Sequence, residues 1–221
     1  LSRAIKICNE NRSLLKEVYM LNDDAKYCSK ATDRFQLVLA SMWTSKEEIN
    51  AQIRALDFKS NNGKENKIRL HINGTSIYDL NLITVIEDAG CFVASDDLCT
   101  GSRYFWKNAE ESEDPIYALA RRYLERTPCP SHDPLRKRLE YIDFMVTKFK
   151  INGVLTFAQR FCDPMLYDAV HVKDMLVKIN VPTMLVDYEN LEQEMGRIKA
   201  RVEAFIAVSY THLTLPTNRE V

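Results

Sequence analysis

The feature that most constrains the fold is an alternation between short apolar runs and longer amphipathic segments in the second half of the chain. Three runs, "CFVAS" from Cys91, "GVLTF" from Gly153 and "TMLV" from Thr183, are almost continuously apolar. Strands of a parallel sheet have this composition because helices cover both of their faces. A segment with apolar residues at helical spacing follows each run, so the pattern predicts a parallel α/β sheet.

A fourth strand is predicted from "KIRLHING", which precedes the other three. Residues 1–62 are instead helical in pattern, and the polar stretch "KSNNGKEN" at 59–66 is a plausible boundary. We therefore expect a helical segment at 1–62, linking from a missing N-terminal domain, and an α/β domain at 63–207. The predicted fold of that domain is a parallel, flavodoxin-like sheet of about four strands with flanking helices.

Local signals predict several element ends. Thr32 or Asp33 is expected to cap the second helix, and Ser45, with Glu48 three residues later, the third. Pro115 is well placed at the first position of a helix, after a polar loop predicted for residues 98–114. Gly90 is suited to the residue that follows a helix end.

Both ends of the chain carry unusual signals. The chain begins at Leu1 without a Met and already reads as mid-helix, so we expect its N-terminus to be cut from a longer protein. "VSYTHLTLPT", from Val208, breaks the charged helical pattern before it. It matches a translation of DNA that resembles the adapter of transposase-based sequencing libraries. We interpret residues 208–221 as this artefact and exclude them from fold reasoning; a genuine tail is the alternative.

Composition argues against several classes of protein. The net charge of -1 gives no electrostatic reason to expect binding to nucleic acid or to an anionic membrane. No apolar run is long enough to span a bilayer, and no signal peptide is visible. The six cysteines are widely spread without a CxxC pair, which indicates a reducing cytoplasm rather than a disulfide framework. No Gly-rich phosphate loop is present, so nucleotide hydrolysis is not expected on this chain.

Chemistry is expected beyond the carboxyl ends of the strands, where open α/β sheets bind ligands. Two of these ends, "SDDLCTG" and "AQRFCDP", contain Cys99 and Cys162. A helix starting at Asp163–Pro164 would direct its positive dipole end toward Cys162 and favour the thiolate, which is the metal-binding and nucleophilic form. The alternative is that the thiol is a small buried hydrophobe.

Several stretches, taken in order, resemble one known family. They are "IEDAGCFVASDDLCTGSRYFW", "PIYALARRYLERTPCP", "INGVLTFAQRFCDP", and "VPTMLVDYE" followed by "GRIKARVEAFI". Together they are similar to the C-terminal half of a 2-hydroxyacyl-CoA dehydratase subunit, in a family that also contains benzoyl-CoA reductase subunits. "ICNENRSLLKEVY" resembles the family's helix before this domain, so the resemblance covers nearly all of residues 1–206.

The resemblance implies that Cys162 is one ligand of a 4Fe–4S cluster, with two further cysteine ligands upstream of Leu1. It also implies a heterodimer with a second homologous subunit, an ATP-dependent iron–sulfur activator and a CoA-thioester substrate. In such enzymes one electron reaches the thioester carbonyl, and a ketyl radical expels the 2-hydroxyl group. With one candidate ligand, the isolated chain is expected to be inactive.

The remaining candidates have competing interpretations. Cys99 and Cys129 are weaker candidates for metal ligands than for loop or interface thiols. Asp96 and Asp97 form either an acid–base pair or, as we favour, carboxylates that bind backbone N–H groups and shape the loop. Arg103 and Tyr104 are candidates for contacts to a CoA phosphate or to a partner subunit. The alternative is that both lie on an ordinary surface.

Two charge runs and the histidines are interpreted as structural. "RRYLER" and "RKRLE" are typical of solvated helix faces, and His71, His132 and His171 lack ligand spacing. The predicted function is that of an iron–sulfur subunit of a 2-hydroxyacyl-CoA dehydratase, a lyase. The alternatives are a ring-reducing subunit of the benzoyl-CoA reductase type and a non-catalytic electron-transfer subunit.

Overall fold

The four predicted strands form one parallel sheet. The computed structural model describes residues 1–23, 30–56 and 67–214. In these ranges the strands are β1 (Ile68–Asn73), β2 (Cys91–Asp97), β3 (Gly153–Gln159) and β4 (Thr183–Tyr188). Their order is β2-β1-β3-β4, and every neighbouring pair is parallel. The predicted fold class is confirmed, and the order matches the first four strands of a flavodoxin-like sheet.

Helices connect and flank the strands. In the described ranges they are α1 (Ser2–Met20), α2 (Ala31–Trp43), α3 (Lys46–Ala55), α4 (Leu80–Asp88), α5 (Ser102–Phe105), α6 (Pro115–Glu125), α7 (Leu135–Lys148), α8 (Asp163–Lys178) and α9 (Leu191–Thr214). The Ser45 hydroxyl accepts a hydrogen bond from the Glu48 N–H, and Pro115 stands at the start of α6, as predicted. Gly90 follows α4 with a φ of 90°, which glycine adopts without steric cost.

Two local predictions were wrong. The helix α2 begins at Ala31, with Lys30 at its cap, rather than after Thr32 or Asp33. The Ala31 N–H donates instead to the Glu87 carboxylate of α4, at 3.2 Å, so a side chain distant in sequence satisfies this helix end. The loop predicted for residues 98–114 contains the short helix α5.

Apolar side chains fill both faces of the sheet. On one face, Leu70 and Val93 share a buried cluster with residues of α4 and α9. On the other, Phe92 and Val154 share a cluster with residues of α7 and α8. Successive residues of β2 alternate between the two clusters, as a strand requires. Because both faces are covered, the strand sequences are almost continuously apolar.

The helices α1 to α3 pack against the sheet domain. Leu15, Val38 and Ile49 share a third buried cluster with Phe105 of α5, and Phe35 of α2 joins the first sheet cluster. The predicted boundary between residues 62 and 63 lies outside the described residues. So does the end of the segment interpreted as an artefact, whose described part continues α9 to Thr214. No helix in the described ranges is long and apolar enough to cross a membrane.

Candidate functional site

Two connections leave the same carboxyl edge of the sheet and contain the candidate residues. The chain enters β2 on one side of β1 and later enters β3 on its other side. This reversal of strand order creates the crevice in which open α/β sheets bind ligands. We call residues 159–165, which leave β3, the Cys162 turn. We call residues 96–105, which end β2 and follow it, the Asp96 loop.

Backbone hydrogen bonds fix the Cys162 turn. Cys162 is the N-cap of α8, and its carbonyl accepts from the N–H groups of Met165 and Leu166, both at 3.0 Å. Its own N–H donates to the Gln159 carbonyl at 3.1 Å. The thiol makes no capping bond to the helix. Pro164 lies in the first helical turn, as the sequence predicts.

Cys162 follows an aromatic residue whose side chain is exposed. Its side chain is partly buried, whereas that of Phe161 is 86% exposed and its backbone has a φ of 63°. This left-handed conformation is rare for an aromatic residue. Burial raises the pKa of the nearby Tyr188 hydroxyl, and the Cys162 thiol acts in the same direction. The turn therefore combines a partly buried thiol, an exposed ring and local backbone strain.

In the Asp96 loop, by contrast, buried side chains bond to groups of the same chain. The Asp96 carboxylate accepts from the N–H groups of Leu98 at 3.0 Å and Ser102 at 2.8 Å. A Cβ at Gly101 would overlap the same carboxylate, so glycine is required there. Burial raises the pKa of Asp96 to about 6, although the Ser102 N–H opposes this shift. This geometry corresponds to the loop-shaping interpretation.

Asp97 is bonded to arginines rather than to backbone N–H groups. Its carboxylate lies 3.1 Å from Arg103 Nε, and it accepts a hydrogen bond from Arg138. Arg103 is only 5% exposed and also donates to the carbonyl oxygens of Gly74 and Asp97. The Arg103 side chain therefore points into the chain rather than to solvent. Tyr104 is partly buried, and its hydroxyl lies 2.7 Å from Lys46 Nζ of α3.

Arg138 is the residue of this edge that the sequence interpretation missed. It belongs to the run "RKRLE", interpreted as a solvated face, yet it is 1% exposed. Its Nε donates to Asp168 of α8 at 2.7 Å, and its Nη2 donates to Asn73 at the end of β1 at 2.6 Å. A sequence signal was available, because Arg138 lies three and four residues before the buried Tyr141 and Ile142.

The other run contains a second buried arginine. Arg122, in "RRYLER", is 5% exposed and donates to the carbonyl oxygens of Lys107 at 2.9 Å and Tyr104 at 3.0 Å. It lies four residues after Ala118, which is also buried, so the same spacing identifies it. The solvated-face interpretation is wrong for one residue of each run.

The remaining candidate residues differ from Cys162 in their burial and in the groups around them. Cys99 is exposed, and Cys129 lines a cavity of about 360 Å³ together with Arg138, Pro164 and Asp168. His71 is fully buried, with Nδ1 2.8 Å from Ser95 Oγ, and burial lowers its pKa to about 4. Within the described ranges, no group of three His, Cys, Asp or Glu side chains is arranged to hold a metal ion. The chemistry of the Cys162 thiol, at a helix N-cap and only partly buried, is compatible with one ligand of a thiolate-held cluster.

Comparison with known proteins identifies the family. The profile of "2-hydroxyglutaryl-CoA dehydratase, D-component" matches residues 1–208. The chain belongs to this family. The match confirms the resemblance on which the predictions for Cys162 depend.

Several characterised relatives belong to multi-subunit enzymes. The chain is 24% identical to the (R)-phenyllactyl-CoA dehydratase beta subunit of Clostridium sporogenes, over 93% of this chain and 56% of the relative. It is 27% identical to one of the benzoyl-CoA reductase subunits of Thauera aromatica, over 93% and 55% of the two chains. It is 20% identical to the lactoyl-CoA dehydratase subunit beta of Anaerotignum propionicum, over 93% and 56%. The chain thus spans about half the length of the relatives it matches.

Proposed function

We propose that the full-length protein is an iron–sulfur subunit of a 2-hydroxyacyl-CoA dehydratase. It would eliminate water from a CoA thioester after ATP-driven activation by one electron. Family membership and the names of two relatives support the dehydratase class. The observation that carries the proposal is the position of Cys162, a partly exposed thiol at the N-cap of α8 beside the reversal of strand order.

Cys162 is the residue of this chain proposed to bind the cluster. A 4Fe–4S cluster is held by thiolates and would supply the one-electron chemistry when bound. The other ligands are proposed to come from parts of the protein outside this chain.

The Asp96 loop is proposed to support this site without contacting substrate. Asp96 and Asp97 are buried and bonded within the chain, and Arg103 faces inward. These residues hold the carboxyl end of β2 in place beside β1. The groups that contact the acyl chain and CoA are proposed to lie outside this chain.

The proposed partners follow from the same family membership. They are a second homologous subunit, an ATP-dependent iron–sulfur activator and a CoA-thioester substrate. The named relatives are subunits, which supports the heterodimer. We also propose a cytoplasmic location and no binding to nucleic acid, in keeping with free cysteines and a net charge of -1.

A ring-reducing enzyme is the second candidate, since a benzoyl-CoA reductase subunit is 27% identical to the chain. Full-length protein, with its partner subunit and activator, should be tested on 2-hydroxyacyl-CoA and benzoyl-CoA thioesters. Formation of the unsaturated acyl-CoA supports the dehydratase, and ring reduction supports the alternative. Cluster reduction without turnover of either substrate supports an electron-transfer subunit.

The ligand assignment is tested by iron and sulfide content. In full-length protein purified anaerobically, Cys162→Ser should retain the fold and lose most iron per folded subunit. Cys91→Ser is the matched control, because the Cys91 thiol is buried, donates to the Ile86 carbonyl at 2.7 Å and has its pKa raised to about 12 by burial. It should lower stability and leave iron content unchanged. Wild-type iron in Cys162→Ser would refute the assignment.

The isolated chain offers a complementary measurement. One thiolate cannot hold a 4Fe–4S cluster, which needs about three or four ligands. After anaerobic reconstitution, the 221-residue chain should show no stoichiometric cluster absorbance. A stable cluster at one per chain would contradict the proposal that the other ligands lie outside it.

A further inference from the structure

One buried side chain joins the parts of the fold that surround Cys162. The Arg138 guanidinium extends from α7 and donates to Asp168 of α8, Asn73 of β1 and Asp97 of β2. A longer contact of 3.4 Å reaches the Pro128 carbonyl. Four segments separate in sequence therefore meet at one planar cation.

Two of these bonds bracket the Cys162 turn. Asp168 lies in the second turn of α8, the helix that Cys162 caps. Asn73 donates in turn to the Thr156 hydroxyl of β3 at 3.3 Å, and β3 is the strand that leads into the turn. The residues before and after Cys162 are thus both connected to Arg138.

We propose that Arg138 is a positioning residue that holds the Cys162 turn against the carboxyl edge of the sheet. The value of this role for cluster binding rests on the proposed function, whereas the positioning of the thiol does not. The guanidinium donates in three directions within one plane, which a lysine ammonium on a single flexible stem does not reproduce. Without the guanidinium, the hydrogen bonds that join Asp168 of α8 to Asn73 of β1 and Asp97 of β2 are lost.

The charges around Arg138 strengthen this connection. Asp97 and Asp168 are both nearly fully buried and approach the same guanidinium. Burial raises the pKa of Asp168, and Arg138 opposes that shift by stabilising the carboxylate. In Arg138→Lys a single ammonium cannot bond Asp97 and Asp168 in the geometry of the guanidinium, so the ion pair of the buried Asp168 is weakened and α8 is expected to move so that water reaches it.

The test measures the reactivity of the thiol in the 221-residue chain itself, without iron. Alkylation by iodoacetamide is followed by mass spectrometry of the Cys162 peptide, with the partly buried Cys8 of α1 as the internal reference. In Arg138→Lys, the ratio of Cys162 to Cys8 rates should rise about tenfold, since the partly buried Cys162 thiol becomes more accessible. Circular dichroism checks that each variant is folded.

Arg122→Lys is the matched control. Arg122 is also buried, but it donates to backbone carbonyls of Lys107 and Tyr104 and has no bond to α8 or β3. Its variant should leave the rate ratio within twofold of wild type. Asp168→Ala, which removes only the bond to α8, should raise the ratio in the same direction and serves if Arg138→Lys does not fold.

An unchanged ratio in Arg138→Lys or in Asp168→Ala overturns the inference, as does an equal rise in Arg122→Lys. These outcomes are independent of the cluster. If Cys162→Ser retains iron while the ratios behave as expected, the proposed function fails and the positioning role remains. If iron is lost but the ratios do not change, the ligand assignment remains and the positioning role fails.

Discussion

The Asp96 loop and the Cys162 turn leave the same edge of one sheet, but they treat their polar groups differently. In the Asp96 loop, carboxylates are fully buried and bonded to backbone N–H groups or arginines of the same chain. In the Cys162 turn, the thiol makes no capping bond, and the neighbouring Phe161 ring is 86% exposed. The first connection buries its charged side chains against one another, whereas the second holds a partly buried thiol next to an exposed ring.

From this difference we expect the Asp96 loop to contribute mainly to stability and the Cys162 turn mainly to binding. A buried ion pair is costly to break because the remaining charge is left without a partner. A partly buried thiol in a turn contributes less packing than a core side chain and remains available to bind a ligand. Substitutions in the Asp96 loop should therefore act mainly on unfolding, and substitutions in the Cys162 turn mainly on binding.

The largest effect on stability is expected for Asp97→Asn. It would leave Arg103 and Arg138 without their shared carboxylate, and breaking such a pair costs about 3–5 kcal/mol. Cys162→Ser should cost less than about 1 kcal/mol, because the side chain is only partly buried. Urea denaturation of both variants, followed by circular dichroism, measures the two free energies of unfolding.

Equal losses of unfolding free energy in Asp97→Asn and Cys162→Ser would contradict the expected difference between the Asp96 loop and the Cys162 turn. A loss above about 3 kcal/mol in Cys162→Ser would mean that the thiol packs as core, as a free cysteine often does. Arg121→Gln is a useful control for loss of charge. Its ion pair with Glu125 is exposed to solvent and should contribute little.

The strands were predictable because burial on both faces leaves a local record in the sequence. The runs from Cys91, Gly153 and Thr183 became β2, β3 and β4, and Pro115 and Gly90 marked helix ends correctly. These signals depend on neighbours within a few residues. The predicted N-cap of α2 was wrong because the side chain that binds this helix end, Glu87, is remote in sequence.

The ion pairs of the carboxyl edge were not predictable in the same way. Arg138 and Asp97 are 41 residues apart, and only the tertiary fold brings them together. A charge run suggests a solvated face, and helical spacing relative to Ile142 was needed to place Arg138 inside. The role of Cys162 was likewise not predictable from its spacing, because no second cysteine lies within a few residues of it.

The next largest effect concerns acid stability. Burial lowers the pKa of His71 from 6.5 to about 4, so the unfolded chain takes up its proton first as the pH falls. Its contribution is present above pH 6.5 and is lost progressively down to about pH 4, by about 3 kcal/mol. Asp96, with a pKa raised to about 6, contributes in the opposite sense over much of the same interval.

The His71 contribution is isolated by a difference measurement. Wild type should be more stable relative to His71→Asn at pH 7 than at pH 4, by about 3 kcal/mol. Carboxylates common to both proteins, Asp96 included, cancel in this difference. If the stability difference between wild type and His71→Asn is the same at pH 7 and at pH 4, the pKa of His71 does not change on folding. That result would contradict a pKa lowered by burial.

The smallest effect tests the openness of the Cys162 turn. A left-handed backbone costs a residue with a side chain about 1–2 kcal/mol, whereas glycine adopts it freely but loses more entropy on folding. Phe161, with a φ of 63° and an exposed ring, should therefore gain about 0.5–1 kcal/mol on substitution by glycine. Lys150→Gly, at a φ of 50° after α7, is the matched control and should gain a similar amount. Both gains are measured by urea denaturation. If Phe161→Gly is destabilised while Lys150→Gly is stabilised, the Phe161 ring makes stabilising contacts, and the Cys162 turn is closed by its own chain as the Asp96 loop is.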